Sequence, residues 1–524
     1  MEYAAGAGLD TSKLCLPGTR EDILSEIKSW VCSTGEDMPS ILWLSGTAGK
    51  GKSAIAHTVA NWSNELGGLG ACFCFDRTRI ADRRQEKIFT TIARDLADRD
   101  PIMRRKLAHA VHDNNELRHT VDIARQWQEL IVGPISQAFA AVAAPVLIVI
   151  DALDESGEAK SREQILRLLA GKLNISSQLS EMPKNFRILI TSRPLEDISD
   201  TLLTASHVRH VSMDDIPQVS TERDIQRYIS TNLAGLCNTF DDVHFRMLAE
   251  KSDSLFEWAR LACEYIKGMN KVGRDPMSRF TSVVAKAVVD GTAVKGTRLL
   301  DHMYGRILAE AMPDDEYEEA IPVFRSVMGQ ILASLEPLPM AALAAMRLHF
   351  LCENNCYEVD RVLRPLGSLI SGTANSQTPM RPLHASFYDF LTDRSRSDKF
   401  FVDSSLIRND LAFASLRVME HKLRFNICSL DNSYLPNSAI PDLEERVNKL
   451  IPTELSYACR YWATHVHAMS FEPLLAKEVE AFLHAERLLF WMEALSLLKA
   501  LGSSVQSLLS IIDWCRVCGL SSFL

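Results

Sequence analysis

The chain has 524 residues, a length typical of about three or four domains. Its hydrophobic content of 47% and charged content of 24% are those of a globular protein rather than a disordered one. A formal net charge of −10 argues against non-specific binding to nucleic acid or to an anionic membrane as the main task, so neither is expected as a partner.

The cysteines and the apolar stretches favour a reducing, cytoplasmic location. The 12 cysteines are dispersed, and the CxxC of Cys515 and Cys518 has no second ligand pair at zinc-site spacing, so no metal site is expected there. The first residues lack the basic and apolar regions of a signal peptide. The longest apolar stretch, 138–150, contains Pro145 and is too short to cross a bilayer. We therefore expect a soluble intracellular protein.

The first 215 residues predict a sheet of buried strands. Residues 1–38 are expected to form a loop and one helix, with Thr19 as the cap of a helix that starts at Arg20. Continuous apolar runs then predict strands buried on both faces, separated by segments of helical pattern. These strands are 41–44, 71–75, 146–150 and 186–191. Strands that alternate with helices predict a mostly parallel, three-layer α/β sheet.

Two basic clusters follow the second predicted strand. They are Arg77, Arg79, Arg83, Arg84 and Lys87, and then Arg104, Arg105 and Lys106. Short basic runs are typical of solvated helix faces, and this is the prediction for both clusters.

The strand signal ends near residue 215. Residues 216–290 are helical in pattern, and 300–395 combine helices with a short strand and turn around 371–383. Residues 400–524 are predicted to be entirely helical, with an amphipathic helix over 488–498.

Residues 46–53 fit the pattern GxxxxGK[ST] in full, between a predicted buried strand and a predicted helix. The glycines allow backbone N–H groups to converge on phosphate oxygens, and the N-terminus of the following helix favours an anion. Lys52 is expected at the β- and γ-phosphates, and the Ser53 hydroxyl as a ligand of Mg²⁺. The predicted nucleotide-binding residues are Gly46, Thr47, Ala48, Gly49, Lys50, Gly51, Lys52 and Ser53.

An acidic segment, residues 151–155, ends the third predicted strand. The carboxyl ends of parallel strands lie at the edge where ligands bind in open α/β sheets. Asp151 is predicted to hold Mg²⁺, directly or through water, and Asp154 or Glu155 to orient or deprotonate the attacking water. The alternative is that these acids only cap the next helix.

Arg193 follows the fourth predicted strand. Its guanidinium is expected to reach the γ-phosphate and to report its presence. The alternative for an arginine at a strand end is a surface charge. The predicted catalytic residues are thus Lys52, Asp154, Glu155 and Arg193.

In combination these motifs resemble the NACHT-domain proteins of the STAND class of signalling NTPases, particularly the large fungal, NLR-like set. The resemblance rests on the phosphate loop at 44–56, the acidic motif at 151–155, which has Ala152 where a glycine is common, and the sensor strand at 190–194. Flanking segments at 15–20, 255–259 and 383–391 also match, so the resemblance extends over residues 10–500.

The resemblance implies an α/β P-loop NTPase core followed by mostly helical regions. The implied domains are an N-terminal flank at 1–38, the NTPase core at 39–215, a helical lid at 216–299, a winged-helix-like domain at 300–400 and a helical arm at 401–524. It implies that His384 faces the nucleotide, the alternative being a histidine satisfied in a packed hinge. The effector and repeat domains typical of such proteins are not evident, so we expect a truncated member or a shorter architecture.

The resulting hypothesis is a switch that binds ATP or ADP with Mg²⁺, with GTP as the alternative nucleotide. It is expected to self-associate on activation, to engage protein partners through its helical regions, and to reset by slow hydrolysis, in an innate-immunity-like or self/non-self recognition pathway.

Two other functions stay open. A metabolic P-loop kinase or phosphotransferase would transfer phosphate rapidly to a small molecule. A DNA-binding regulator would use the winged helix, but its presumed second helix at 362–368 has few basic groups and an internal proline, Pro365, which makes it a poor reader of the major groove.

Overall fold

The four predicted strands are present in the computed structural model of the chain, and a fifth strand joins them. Their bounds are β1 Ile41–Ser45, β2 Leu69–Cys74, β3 Val146–Asp151, β4 Phe186–Ser192 and β5 Val208–Ser212. Neighbouring strands are all parallel, in the order β2-β3-β4-β1-β5. Every residue of β1 to β4 is buried, which explains their continuous apolar sequences. The predicted parallel α/β class is confirmed.

The chain divides into two units, Met1–Met303 and Tyr304–Leu524. The structure describes residues 3–33, 35, 38–79, 81, 83–118, 120–138, 144–172, 183–236, 239–268, 275–285, 288–289, 292–293, 295–312, 317–351, 359–432, 434–484 and 486–517. Cys518 of the CxxC lies outside these residues. The finer division into five domains stays a prediction.

Helices cover both faces of the sheet in the first unit. They are α1 Glu21–Cys32, α2 Lys52–Glu65, α3 Ile88–Arg99, α4 Pro101–Asp113, α5 Ile123–Gln126, α6 Gly133–Ala138, α7 Ala159–Leu169, α8 Glu196–Leu202, α9 Gln218–Asn232, α10 Asp242–Lys251, α11 Phe256–Lys267, α12 Pro276–Val284 and α13 Thr297–Ala311, which runs past the unit boundary. A π-helical stretch, Trp127–Val132, joins α5 to α6. A short antiparallel pair, β6 Val288–Val289 and β7 Thr292–Ala293, precedes α13.

Alternate strand residues enter two separate cores. In β1, Leu42 and Leu44 pack with α1 and α2, whereas Ile41 and Trp43 pack with α3 to α8. Side chains of successive strand residues point to opposite faces, so each strand contributes to both cores. The predicted three-layer arrangement is therefore confirmed.

The second unit is mostly helical. Its elements are α14 Tyr317–Ala333, α15 Met340–Arg347, α16 Val359–Leu363, β8 Ile370–Ser371, β9 Arg381–Pro382, α17 Ala385–Thr392, α18 Arg394–Ser397, α19 Ser405–Lys422, α20 Leu443–Leu450, α21 Thr453–His467, α22 Pro473–Leu483, α23 Arg487–Leu497 and α24 Ser504–Val517. Strands β8 and β9 are antiparallel. A core around Trp462 and Trp491 joins α19 to α24.

Two local predictions are wrong. Helix α1 begins at Glu21, and Thr19 does not cap it, because the Thr19 hydroxyl donates to the Leu16 carbonyl at 2.7 Å while Arg20 takes a left-handed backbone conformation. The helix predicted over 362–368 ends at Leu363 and continues as one 3-10 turn, since Pro365 cannot donate a helical hydrogen bond.

Among the described residues, the helices are all too short or too polar to cross a bilayer.

Candidate nucleotide site

The predicted site residues of the first unit leave three neighbouring strands at one edge of the sheet. The register pairs Ser45, at the end of β1, with Ser192, at the end of β4, and Ile150 of β3 with Ile190 of β4. The loop after β1, the acidic segment after β3 and Arg193 after β4 therefore begin side by side. This is the edge where open α/β sheets bind ligands.

The backbone of the loop at 46–53, called the phosphate loop below, takes conformations that favour glycine. Gly49 and Gly51 have φ values of 84° and 90°. Gly51 immediately precedes α2, whose first two residues are Lys52 and Ser53. The loop thus ends in the N-terminus of a 14-residue helix, which favours a bound anion.

The Lys52 ammonium folds back onto the phosphate loop. Its Nζ donates to the carbonyls of Gly46 and Thr47, at 2.6 and 3.0 Å. Burial lowers the pKa of Lys52, and the carboxylates of Asp154 and Asp151 partly offset this effect. The lysine therefore shares one electrostatic environment with two of the three predicted acids, Asp154 and Asp151.

Asp151 is held by a threonine of the neighbouring strand. The carboxylate is buried, and its Oδ1 accepts a hydrogen bond from Thr191 Oγ1 at 2.5 Å. Thr191 Oγ1 also accepts from the backbone N–H of Ala152, which has a left-handed backbone with φ of 56°. Glycine has no steric penalty in that conformation, which explains why the acidic motif that this segment resembles commonly has a glycine at this position.

Asp154 binds the arginine predicted to sense the γ-phosphate. Its two oxygens lie 3.1 Å from the backbone N and from Nε of Arg193. The Asp154 side chain is 5% exposed and that of Arg193 is 23% exposed. The alternative that Arg193 is only a surface charge is wrong, since its guanidinium is paired at the edge of the sheet.

Glu155 occupies a separate environment beside Arg77. Its Oε2 accepts the backbone N–H of Arg77 at 3.2 Å and lies 3.9 Å from the Arg77 Nε. Burial raises the pKa of Glu155 to about 7, with Arg77 opposing that rise. A carboxyl group with this pKa can exchange a proton near neutral pH, as a general base requires.

Neither acid caps the next helix. Helix α7 begins at Ala159, and its N-cap residue, Glu158, makes no side-chain capping bond. Asp154 and Glu155 lie in the preceding 3-10 turn and accept backbone N–H groups of Arg193 and Arg77 instead. The capping alternative is therefore wrong.

The first basic cluster is not a solvated helix face. Arg77 contacts Glu155, and the buried Arg83 donates to the Cys74 and Gly6 carbonyls, at 2.9 and 2.7 Å. Carbonyls at the end of β2 and in the N-terminal segment need donors, and an arginine supplies them. In the second cluster, the Arg104 side chain is 61% exposed, as expected.

A buried histidine lies between the N-terminal segment and Asp151. His57 Nδ1 accepts the backbone N–H of Asp10 at 3.2 Å, so Nε2 carries the proton of the neutral ring. Nε2 lies 3.5 Å from Cys74 Sγ and 3.9 Å from Asp151 Oδ2. Although His57, Cys72 and Cys74 are close enough to share an ion, a metal-bound histidine normally donates through its other nitrogen. This cluster does not fit a metal.

The outer side of the phosphate loop contacts segments beyond the sheet. The Gly49 carbonyl accepts the backbone N–H of Glu257, in the first turn of α11, at 3.2 Å. The Lys50 carbonyl accepts from Arg20 Nη2 at 3.1 Å, and the Arg20 guanidinium stacks on Phe256. The loop is thus bonded to the helical region predicted to be the lid.

His384 lies in the second unit as the N-cap of α17. Its Nδ1 accepts the backbone N–H of Ser386 at 3.2 Å and lies 2.6 Å from the Ser386 hydroxyl. That hydroxyl lies 2.8 Å from the Tyr304 hydroxyl. These contacts give His384 a structural role, and its predicted contact with the nucleotide stays a prediction.

Sequence reasoning missed several partners of the predicted residues. Thr191 holds Asp151, and Arg77 holds Glu155. Arg20 and Asp214 contact the phosphate loop. His57 lies beside Asp151 and accepts the backbone N–H of Asp10. A signal for Thr191 was present, because a polar residue interrupts an apolar strand one position before its end. His57 follows the phosphate loop closely, but a histidine within a helix gives no specific signal, and Arg20, Arg77 and Asp214 lie at least 20 residues from the nearest motif.

The phosphate loop and the acidic segment follow the two strands on either side of β4, and this strand order is that of the P-loop NTPase fold. Residues 18–193 match the family model described as Nephrocystin 3, N-terminal. Vegetative incompatibility protein HET-E-1 of Podospora anserina is 22% identical in an alignment of 530 positions, which covers 93% of this chain and 35% of that protein. Both matches are consistent with the resemblance to NACHT-type proteins of the fungal STAND class that the motifs indicated. The chain spans about a third of the length of HET-E-1.

Two solved structures show some likeness to the chain. A Walker-type ATPase of Pyrococcus abyssi covers 70% of this chain and 93% of its own, with 12% identity and a TM-score of 0.33. The ORC2 protein of Aeropyrum pernix, in ADPNP–ADP complexes, covers 79% and 99%, with 13% identity and a TM-score of 0.32. These superpositions are loose, so the fold class rests on the strand order itself.

Proposed function

We propose that this chain is a signalling switch that binds ATP with Mg²⁺ and hydrolyses it slowly to reset. The observation that carries the proposal is the pair of bonds from the phosphate loop to Glu257 and Arg20. A nucleotide that changes the phosphate loop changes these contacts, and so biases the helical region between two states. It does so only by its differential affinity for those states.

The oxygen donors at the edge of the sheet suit Mg²⁺. The Ser53 hydroxyl and the Asp151 carboxylate are hard ligands of the kind that this ion prefers. Bound Mg²⁺ neutralises negative charge on the β- and γ-phosphates. Thr191 fixes the orientation of Asp151 for this role, and Lys52 adds a positive charge to the same phosphates.

The two remaining acids have different tasks in this proposal. Glu155 is the general base that accepts the proton of the attacking water, and its backbone bond from Arg77 fixes it in place. Asp154 holds Arg193 at the edge of the sheet until a γ-phosphate competes for the guanidinium. Arg193 then reports the triphosphate, because the pairing of Arg193 with Asp154 changes only when a γ-phosphate is present.

Further parts of the proposal concern the whole protein. They are ATP rather than GTP as the nucleotide, self-association on activation, protein partners bound through the helical regions, a cytoplasmic location, and a role in an innate-immunity-like or self/non-self recognition pathway. The resemblance to HET-E-1, a vegetative incompatibility protein, supports the last of these.

Sedimentation velocity of the full chain tests the switch directly. We expect one form with Mg²⁺·ADP and an opened or self-associated form with Mg²⁺·ATPγS. Glu155→Gln should remain in the second form with ATP, because hydrolysis is blocked. Glu158→Gln, which changes an exposed acid on the same segment, should behave as the wild type. A sedimentation coefficient that is the same with every nucleotide would contradict the proposal.

A further inference from the structure

The turn after β5 lies against the start of the phosphate loop. The register pairs Ser212, the last residue of β5, with Ser45, and the backbone N–H of Met213 donates to the Ser45 carbonyl at 2.8 Å. A Cβ added at Gly46 would lie 2.7 Å from the Met213 Cβ, so the two backbones are in close contact. The Ser212 hydroxyl accepts the backbone N–H of Asp214 at 3.1 Å, which fixes the next residue of the turn.

This turn places the Asp214 carboxylate on three donors of the phosphate loop. The backbone N–H of Thr47 donates to Oδ2 at 3.2 Å, and the Thr47 hydroxyl to Oδ1 at 3.1 Å. The Lys50 ammonium lies 3.2 Å from Oδ1. The Asp214 side chain is 36% exposed and that of Lys50 is 15% exposed, so the group is at the rim of the site rather than in the core.

A phosphate loop attracts anions through its backbone N–H groups and its lysines. Here two of its residues hold a carboxylate that belongs to the protein. A nucleotide phosphate brought to the loop meets this negative charge, and a triphosphate meets it with one more charged phosphate than a diphosphate does.

We propose that Asp214 is a specificity residue that weakens triphosphate binding relative to diphosphate binding. The inference rests on the proposed function, since it assigns a further role within the same nucleotide site. Because its carboxylate repels the additional phosphate, Asp214 keeps the diphosphate bound in a mixture of nucleotides in which the triphosphate would otherwise occupy the site. A purely structural role has the opposite sign, because a carboxylate that only fastens the loop would favour binding of both nucleotides.

The test compares wild type, Asp214→Asn and Asp215→Asn as full chains, by titration calorimetry with Mg²⁺·ADP and Mg²⁺·ATPγS. Asp215 is also an exposed acid, and its variant removes the same charge one residue away. We expect Asp214→Asn to tighten ATPγS binding about 3- to 10-fold, the effect of one partly screened charge, and ADP binding by less than about 2-fold. We expect Asp215→Asn to change either affinity by less than about 2-fold.

Weaker or unchanged ATPγS binding in Asp214→Asn would overturn the inference, and so would an equal effect of Asp215→Asn. In each of these cases the wild type still binds nucleotide, and the proposed function stands. A wild-type chain that binds neither nucleotide would overturn the proposed function and this inference with it.

Discussion

At the scale of single residues, the two adjacent acids after β3 differ in what surrounds them. Asp154 is bonded to Arg193 through both of its oxygens, which leaves it committed to that arginine. Glu155 is bonded to the backbone of Arg77, and burial raises its pKa to about 7. The sequence left open which acid activates water, and these surroundings favour Glu155.

The rate of ATP hydrolysis is expected to rise with pH through a midpoint near 7. Glu155 acts as a base only when its proton is lost, and the raised pKa places that loss near neutral pH. The rate should therefore increase between about pH 6 and 8 and then level off. Single-turnover measurements over this range, on wild type and Glu155→Gln, check the prediction.

The matched control is Glu158→Gln, which should keep the wild-type profile. If Glu155→Gln hydrolyses ATP at the wild-type rate, or if the wild-type profile is flat across neutral pH, Glu155 is not the base.

A conservative variant of His384 distinguishes its role as the N-cap of α17 from its predicted contact with the nucleotide. His384→Asn keeps a side-chain acceptor at the N-cap of α17, whereas His384→Ala removes it and should destabilise the chain by about 1 kcal/mol. If the histidine faces the nucleotide, both variants lose affinity for ADP. Urea unfolding and ADP titration of the full chain measure the two effects.

An ADP affinity that is unchanged in both variants, with reduced stability only in His384→Ala, would leave the capping role alone and contradict the predicted nucleotide contact.

Sequence motifs predicted the residues that gather at the edge of the sheet but not the partners that orient them. The spacing of Lys52 and Ser53 after the glycines is a local pattern, and so is an acid at a strand end. Arg77 and Asp214 reach the site only through the order of the strands. The cluster around Arg83 was predicted to face solvent from its charge alone. This prediction failed because the carbonyls that accept from Arg83 are distant in sequence or are placed by the fold.

At the scale of elements, the bond between the phosphate loop and α11 is the contact by which a nucleotide could act on the helical region. The first N–H groups of a helix have no partner within it. For Glu257, the partner is the Gly49 carbonyl. The protection of this amide from solvent exchange thus reports the contact itself.

Gly49→Ala is expected to speed hydrogen exchange in the first turn of α11 by about 10-fold, as loss of one backbone bond implies. An added Cβ would lie 3.2 Å from the Glu257 Cβ, and the backbone has a φ of 84°. Gly51→Ala is the matched control, because it introduces the same backbone strain at φ of 90° with open space around the new Cβ. Exchange at residues 255–258, measured by mass spectrometry, checks the prediction.

Equal exchange rates in the two variants would show that backbone strain, and not the contact with α11, determines the protection.

Continuous apolar runs predicted β1 to β4, because strands covered on both faces carry apolar residues throughout. Strand β5 was missed for the complementary reason. It lies at the edge of the sheet beside β1, its residues are partly exposed, and its sequence, Val-Arg-His-Val-Ser, is mixed. The cap of α1 was wrong because the Thr19 hydroxyl has a nearer acceptor in the Leu16 carbonyl.

At the scale of the whole molecule, the chain combines a P-loop NTPase unit with a mostly helical unit, and it spans about a third of its fungal relative. All the predicted site residues except His384 belong to the first unit. The proposed regulation, the proposed hydrolysis and the role of Asp214 all depend on one event, the binding of a nucleotide to the phosphate loop of the first unit.

The most direct measurement is the binding of Mg²⁺·ATP to the full chain by titration calorimetry, for wild type, Lys52→Ala and Lys477→Ala. Lys477 is an exposed lysine of the second unit and controls for the loss of one positive charge. We expect binding to wild type and Lys477→Ala, and a loss of affinity of about 100-fold or more in Lys52→Ala, as expected when one charged hydrogen-bond donor is removed. Unchanged affinity in a folded Lys52→Ala chain would contradict nucleotide binding at the phosphate loop.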